Sequence, residues 1–261
     1  MKKKTQGLII QSEELAPDIF ELWIETELAK DARPGQFVGV FPTKESTLLP
    51  RPISICEVDD EKRMLRLVYR VAGKGTTEFS HYRAGRVVYL LGVLGNGYPL
   101  NAASHKEVIL LGGGIGIPPL LELAKQLSKE SEAIKITTVI GYRSADMFLK
   151  EEFEQYGKVL VATEDGSFGT KGNVMNVIKE HKLKVDLIYA CGPMMMLRAI
   201  REYAQEKQIP AYISLEERMA CGVGACLGCV CKTTKKDAHS HVNNARICTD
   251  GPVFEAQEVD I

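Results

Sequence analysis

Four cysteines stand within eleven positions of the stretch MACGVGACLGCVCK, residues 219–232, and no other part of the chain is so dense in thiols. Cys221, Cys226 and Cys229 follow a C-x4-C-x2-C spacing, and Cys248 lies further on in RICTDGP. A triplet with a distant fourth cysteine is the plant-type ligand pattern of a 2Fe–2S cluster. Thiolates that converge on two irons from one loop need a tightly curled backbone. Gly222, Gly224, Ala225 and Gly228 are small enough to allow it and to let N–H groups approach the sulfurs. A structural zinc held by four cysteines is the alternative, although zinc more often takes two separate close pairs. Cys231 is left over and reads as a small residue on the strand leaving the loop.

Two other stretches could receive phosphates. KEVILL runs into GGGIGIPPLLELAKQL, a strand, a glycine turn and a helix start, where free N–H groups and the helix dipole favour an anion. Pro118 and Pro119 suit a first helical turn. Gly112, Gly114 and Gly116 are spaced G-x-G-x-G, with Gly113 between the first two, so this is not the G-x-G-x-x-G dinucleotide fingerprint. A turn needed only for packing would look the same. A later CGP puts Cys191, Gly192 and Pro193 at the carboxyl end of another strand, where open α/β sheets bind ligands. In the first hundred residues, RPIS (51–54) offers the planar fork of Arg51, and AGKGTTEFS (72–80) could open a helix at Gly75 and Thr76. Each of these is weak in isolation.

The elements that must position these groups change character along the chain. FELWIET (20–26), GQFVGVFP (35–42), PISICEV (52–58), MLRLVYRV (64–71) and RVVYLLGVLG (86–95) read as short strands punctuated by Gly and Pro, the signature of a β-barrel or sandwich. From about residue 105, strands and helices alternate. The strands are KEVILLGGG, IKITTVIGYR, KVLVATEDG, DLIYACGP and AYISLEE. Between them, helices are expected at 118–130, around DMFLKEEFEQYG, at 173–182 and at 194–208. That alternation implies a doubly wound parallel α/β sheet. From Glu217 a small irregular module carries five of the seven cysteines. The expected division is therefore 1–100 as an antiparallel β-barrel, 101–216 as an α/β domain and 217–261 as a metal module.

The 261 residues carry a net charge of −1, with 45% hydrophobic and 26% charged residues, an ordinary globular balance without a basic field for nucleic acid. MKKKTQGLII is not followed by a long apolar stretch or a small-residue cleavage site, and no apolar run approaches the roughly 18 residues of a membrane span. An odd cysteine count without a signal peptide points to a reducing, cytoplasmic setting. His239 and His241, in the polar loop 235–246, read as solvated residues, because four cysteines already satisfy a cluster. Cys56 alternates as a strand residue of the core, and Met194 to Met196 read as core packing.

Taken in order, R-P-x-S and G-x-G-T on a barrel, then GGGxGxxP and a late CGP on an α/β domain, resemble the ferredoxin–NADP⁺ reductase superfamily. In that superfamily the barrel binds a flavin and the α/β domain a nicotinamide nucleotide. MACGVGACLGC…RICTDGPVF narrows the likeness to the electron-transfer subunits of type B dihydroorotate dehydrogenases, and the resemblance covers essentially the whole chain. It implies that Arg51, Pro52, Ile53 and Ser54 contact FAD, with Arg51 on a phosphate and Ser54 near the reactive edge of the ring. Val68, Tyr69 and Arg70 would line the flavin, and Gly75 and Thr76 would hold its pyrophosphate. Gly112, Gly113, Gly114, Gly116 and Pro118 would face NAD, with Cys191 and Gly192 beside the nicotinamide. Ser54 and Cys191 are thus the candidate catalytic residues, and Cys221, Cys226, Cys229 and Cys248 the cluster ligands. There are two departures: position 53 is Ile where many relatives have a flavin-stacking Tyr, and the chain ends in EVDI rather than an aromatic.

The resemblance further implies an NAD-linked oxidoreductase subunit of pyrimidine biosynthesis. Its partner would be an FMN-containing catalytic subunit, in a heterotetramer with two copies of each chain. Electrons from dihydroorotate oxidation would pass through the cluster to FAD and then NAD⁺. Val223, Ala225 and Leu227 are candidates for the docking contact. On the residues alone NADP stays open, since GYRSADM supplies Arg143 and Ser144 after the second α/β strand; the family favours NAD. Two alternatives stand beside this one. The first is the small subunit of a bifurcating NADH–ferredoxin oxidoreductase or a sulfide dehydrogenase, relatives that tend to have Asp where this chain has Cys221. The second is a zinc-stabilised module without enzymatic activity.

Overall fold

The computed structural model describes residues 3–43, 48–100, 102–131, 133–236 and 241–261. Six strands close the N-terminal barrel: β1 (Lys3–Ala16), β2 (Ile19–Glu25), β3 (Phe37–Phe41), β4 (Arg51–Val58), β5 (Met64–Arg70) and β6 (Val87–Leu94), in the order β1-β2-β5-β4-β3-β6. All neighbours pair antiparallel. Five of them coincide with the five apolar stretches expected as strands. The sixth, β1, is the longest and was not expected. Its pairing with β2 slips between Ile9 and Gln11 and again between Glu14 and Ala16, so the alternation that marks a strand is broken twice. Inside the barrel Ile9, Leu22, Ile24, Val38, Ile55 and Leu67 form the core. Helix α1 (Lys74–Ser80) adds Phe79, whose ring meets that of Tyr69 edge-on at 5.9 Å.

The second unit is a twisted sheet built from β7 (Glu107–Gly113), β8 (Lys135–Tyr142), β9 (Lys158–Thr163), β10 (Thr170–Lys171), β11 (Leu187–Cys191) and β12 (Ala211–Ser214). These six strands pair in parallel in the order β10-β9-β8-β7-β11-β12. Helices α2 (Leu121–Glu130) and α3 (Lys150–Phe153) pack on one face through Leu121, Leu127 and Phe153. Helices α4 (Val174–Glu180) and α5 (Met194–Lys207) pack on the other through Val177, Leu197 and Ile200. Three helices are clearly shorter than the sequence suggests; α4 loses one residue at the start and two at the end of 173–182. The stretch from 118 begins with a 3-10 turn at Pro118–Leu120, so the α-helix starts only at Leu121. Around 146–157 the chain holds Leu149 at φ +65°, in the left-handed region, and only four residues are helical after it.

The C-terminal segment forms a small hairpin, β13 (Val230–Lys232) with β14 (Asn244–Arg246), and then β15 (Val253–Glu255) adds antiparallel to β12 as the last strand of the large sheet. The module is therefore anchored by backbone pairing. It is also tied to the barrel: Asn96 Nδ2 donates to the carbonyls of Thr249 (3.1 Å) and Asp250 (3.0 Å). Barrel and sheet are joined by crossed tyrosines. Tyr98 donates to the Ala190 carbonyl at 3.0 Å, Tyr189 donates to the Pro99 carbonyl at 2.7 Å, and their rings meet edge-on. Among the described residues no helix is long and apolar enough to cross a membrane.

Candidate cofactor sites at the barrel, the sheet and the thiol loop

The thiol loop is built from main-chain donors. The N–H groups of Val223, Ala225 and Cys226 point at Cys221 Sγ at 3.4, 3.3 and 3.4 Å, and Gly228 N points at Cys226 Sγ at 3.4 Å. This convergence needs left-handed backbone at Gly222 (φ +68°) and Gly224 (φ +83°), which glycine adopts at little cost. Burial pushes the Cys221 thiol up, but the donors from Val223, Cys226 and Ala225 outweigh it and bring its pKa down to about 6. Cys248 moves the other way, up to about 11, through burial and the neighbouring Cys229 thiol.

The four thiols stand as two pairs, Cys221 beside Cys226 and Cys229 beside Cys248. Among the described residues no three His, Cys, Asp or Glu side chains gather round a point suited to a single metal ion. Two pairs match two irons, each taking two thiolates, better than one tetrahedral zinc. The fourth cysteine is held by a turn that spacing does not reveal. Arg246 binds Asp250 through its main-chain N (2.8 Å) and its guanidinium, Nε and Nη2 both at 3.2 Å. Its carbonyl in turn accepts the N–H groups of Thr249 and Asp250. Cys248 inside that turn and Cys229 are 1% and 2% exposed, whereas Cys226 is at the surface. Cys231, on β13, lies outside this donor set, and burial raises its thiol pKa. His241 is exposed; His239 lies outside the described residues.

On the barrel, β4 and β5 divide their side chains between two environments. Ile53 and Tyr69 turn into the barrel core, while Val68 and Cys56 belong to the apolar layer shared with the sheet. Any contact of Tyr69 with a ligand outside the barrel is therefore made by its main chain. Its buried hydroxyl has no hydrogen-bond partner among the described residues. Pro52 and Ser54, one residue either side of Ile53, are half-buried on the outer side, and Arg70 is exposed at the end of β5. Arg51 donates to the Leu49 carbonyl at 2.6 Å, and its guanidinium covers Gly75, where an added Cβ would come within 2.6 Å of Nε. A cation held against the first turn of α1 fits a phosphate group. Thr76 cannot contribute a free hydroxyl, because its Oγ1 accepts the N–H groups of Ala72 (2.9 Å) and Gly73 (3.1 Å) and donates to the Gly73 carbonyl. What it offers a ligand is its main-chain N–H.

On the sheet, strand order reverses between β7 and β11, and the ends of these two strands press together. A Cβ on Gly116 would lie 2.5 Å from the Cys191 carbonyl, and one on Gly113 would lie 2.7 Å from Met196 Sδ. Gly112 is likewise hemmed in by Ile117, and Gly192 by Met196. Pro118 is buried. Gly114 alone among these glycines is left-handed (φ +54°) with open space around its Cβ position, so this is the backbone a phosphate could approach. Cys191 as a residue is half-buried, but its thiol is enclosed; burial pushes it up to about 12, and the Ser214 hydroxyl offsets this only in part. The thiol therefore stays protonated and neutral. Of the three methionines read as core, Met194 and Met195 are exposed, since they occupy the first turn of α5 beside the crevice, and only Met196 packs inward.

Comparison with known proteins agrees with this layout. The profile described as the iron-sulfur cluster binding domain of dihydroorotate dehydrogenase B matches residues 216–260, and the oxidoreductase NAD-binding domain matches residues 110–202. The chain is 43% identical over 263 residues to the dihydroorotate dehydrogenase B (NAD(+)) electron transfer subunit of Geobacillus sp. (strain WCH70), covering 99% of each chain. A solved NADH-dependent reduced ferredoxin–NADP oxidoreductase superposes with a TM-score of 0.86 at 32% identity, over 100% of this chain and 91% of that one. A Neisseria gonorrhoeae ferredoxin NADP⁺ reductase with bound FAD and NADP shares the fold, with a TM-score of 0.65 at 14% identity over 78% of this chain and 91% of that one. Full-length identity, the matched cluster domain and the paired thiols agree: the chain belongs to the family of dihydroorotate dehydrogenase B electron-transfer subunits.

Proposed function

We propose that the chain carries electrons between a partner flavoprotein that oxidises dihydroorotate and NAD, using three sites: FAD on the barrel (1–100), the nucleotide on the sheet (101–216) and a 2Fe–2S cluster in the module (217–261). NADH exchanges electrons in pairs, a cluster carries them singly, and a flavin mediates between the two when bound. The observation that carries this reading is where the thiol loop rests. Met219, Ala220 and Gly222 close on Phe37, Pro50, Pro52 and Leu94 of the barrel around a gap of only about 10 Å³. The loop that would hold the cluster is thus packed against the strand that carries Arg51, Pro52, Ile53 and Ser54.

The chain's own residues have separable tasks in this scheme. Arg51 and the N–H groups of Gly75 and Thr76 hold the flavin phosphates. Ser54 presents a hydroxyl donor at the ring, and the main chain of Val68, Tyr69 and Arg70 lines it. Gly114 lets a phosphate approach the backbone, while Gly112, Gly113, Gly116, Pro118 and Gly192 keep the two strand ends close enough to form the crevice. Cys191, neutral, packs beside the nicotinamide without placing a charge there. Cys221, Cys226, Cys229 and Cys248 hold the irons, and Val223, Ala225 and Leu227, exposed beside Cys226, meet the partner. That partner is an FMN-containing catalytic subunit in a cytoplasmic assembly of two copies of each chain. The 32% likeness to the ferredoxin-linked enzyme supports a second reading, with the same three groups and a different partner.

Two assays test the proposal. The purified chain alone should reduce a dye with NADH but form no orotate from dihydroorotate with the same dye. The chain copurified with its partner should form orotate and contain FMN, FAD and iron. Steady orotate formation by the isolated chain would overturn the subunit assignment, and a copurified complex without orotate formation would favour the second reading.

A further inference from the structure

We infer that Glu78, a buried carboxylate of α1, is a positioning residue for Arg51: it fixes α1 against Thr43, and α1 in turn sets where the Arg51 guanidinium meets the flavin phosphate. The inference rests on the reading of Arg51 as that phosphate contact. Helix α1 has seven residues, too few to hold its own shape in water, so its side chains decide where it sits. Gly75, Glu78 and Phe79 form its buried stripe at helical spacing. Phe79 is fully buried in the barrel core. Glu78 is 5% exposed, in a stripe where an apolar side chain would fill the space at less cost. A buried carboxylate returns little net stability, since desolvation offsets its hydrogen bonds. What it supplies is direction, because hydrogen bonds weaken steeply as their angle departs from linear.

Glu78 Oε1 accepts three hydrogen bonds, from Thr43 N at 2.7 Å, Thr43 Oγ1 at 2.6 Å and the Tyr82 hydroxyl at 2.6 Å. These donors are themselves held. Arg86 Nη2 donates to Thr43 Oγ1 at 2.9 Å, and the Arg86 guanidinium lies over the Tyr82 ring at 4.0 Å. Thr43 follows β3 closely, and Leu49 closely precedes β4. The Leu49 carbonyl accepts from Arg51 Nη1 at 2.6 Å. On the helix, Gly75 stands one turn before Glu78 and on the same face. An added Cβ on Gly75 would come within 2.6 Å of Arg51 Nε, 3.0 Å of Cζ and 3.1 Å of Cγ, so the Arg51 side chain lies along the helix backbone. Helix α1 therefore meets this part of the barrel twice on one face, at Thr43 through Glu78 and at Arg51 through Gly75. A rotation of α1 about its axis moves both contacts together. Without Glu78 the helix is free to turn, and the guanidinium loses the surface that aims it.

The test uses the full chain, freed of its flavin and titrated with riboflavin, FMN and FAD by fluorescence quenching. The ratio of FMN to riboflavin affinity isolates what the phosphate contributes. In the unaltered chain that ratio should be about tenfold or more, the value of a charged hydrogen bond. Glu78→Met should shrink it at least about fivefold while riboflavin itself binds within about twofold of the unaltered chain. Glu78→Gln, which removes the charge and keeps an acceptor for Thr43, should retain the ratio within about twofold. In an Arg51→Ala background, Glu78→Met should change the ratio no further, because it acts through Arg51. Thr43→Val removes one of the three donors at an exposed position and should shrink the ratio by a smaller factor; it replaces Glu78→Met if that variant does not fold. A ratio kept within about twofold in Glu78→Met, or unchanged in Thr43→Val where that replaces it, overturns the inference, even if all three flavins bind more weakly. So does a further fall in the Arg51→Ala background. An unaltered chain that binds riboflavin as tightly as FMN overturns the reading of Arg51 as the phosphate contact, and the inference with it.

Discussion

Arg66 is the strongest place to test how barrel and sheet are held together. Its guanidinium donates to Glu21 through Nε at 2.7 Å, approaches Glu57 at 3.4 Å and pairs with Glu152 of α3 across the domain boundary. Glu21 is 2% exposed, and burial holds its carboxyl above the usual carboxylate range even though Arg66 pulls it down. Arg66→Met leaves Glu21 with Gln11 Nε2, at 3.2 Å, as its remaining side-chain donor. Breaking a buried pair from one side costs about 3–5 kcal/mol. At about 2–4 °C per kcal/mol for a chain of this size, Tm should fall by roughly 6–20 °C. A carboxyl whose folded pKa lies above its unfolded value of 4.5 contributes its full stability below that value and loses it as pH rises through the folded pKa. Removing Arg66 raises the folded pKa further, so the loss grows. The Tm gap between wild type and Arg66→Met should be wider at pH 8 than at pH 5, and Arg66→Met/Glu21→Gln should recover most of it. A gap below about 2 °C at pH 8, or a wider one at pH 5, would refute the account of Arg66 as the neutraliser of Glu21.

The remaining expectations concern the cofactor residues. Cys226→Ser should abolish the visible absorbance of an iron–sulfur cluster while Cys231→Ser leaves it largely intact; the reverse pattern, read from spectra and iron content, would mean the ligand set is wrong. Arg51→Ala removes a charged hydrogen bond worth about 1.5–3 kcal/mol, so FAD affinity should drop on the order of tenfold or more. FAD content unchanged after dialysis would place the flavin elsewhere.

Much of the fold is legible in the chain because its strands and helices keep their periods. β2 to β6 alternate or run apolar, and the helices on the sheet carry apolar residues at helical spacing. β1 is hidden for a physical reason: of its 14 residues just Gly7 and Ile9 are buried, two register slips break the alternation beyond Ile9, and most of its other residues face water. The addition of β15 to β12 is hidden too, since three residues of antiparallel edge pairing leave no pattern that distinguishes them from a loop. The short α3 was overread because LKEEFEQYG has good helix formers. A left-handed Leu149 ahead of it and the packing of Phe153 decide where the helix stops.

The site shows the same division between residue type and geometry. Spacing identifies which thiols can reach two irons. It says nothing of the donors at Cys221 Sγ, because N–H groups belong to every residue and only the left-handed Gly222 and Gly224 aim them inward. Nor does it reveal the Arg246–Asp250 turn around Cys248. The glycine run is the converse case. Its four glycines, Gly112 to Gly114 and Gly116, are identical in the sequence yet do different work: Gly112, Gly113 and Gly116 are small because another chain segment touches them, and Gly114 because its φ is positive and its surroundings open. A motif match treats these positions as equivalent phosphate contacts. The structure separates them: packing against neighbouring segments requires three of the glycines, and backbone conformation requires the fourth.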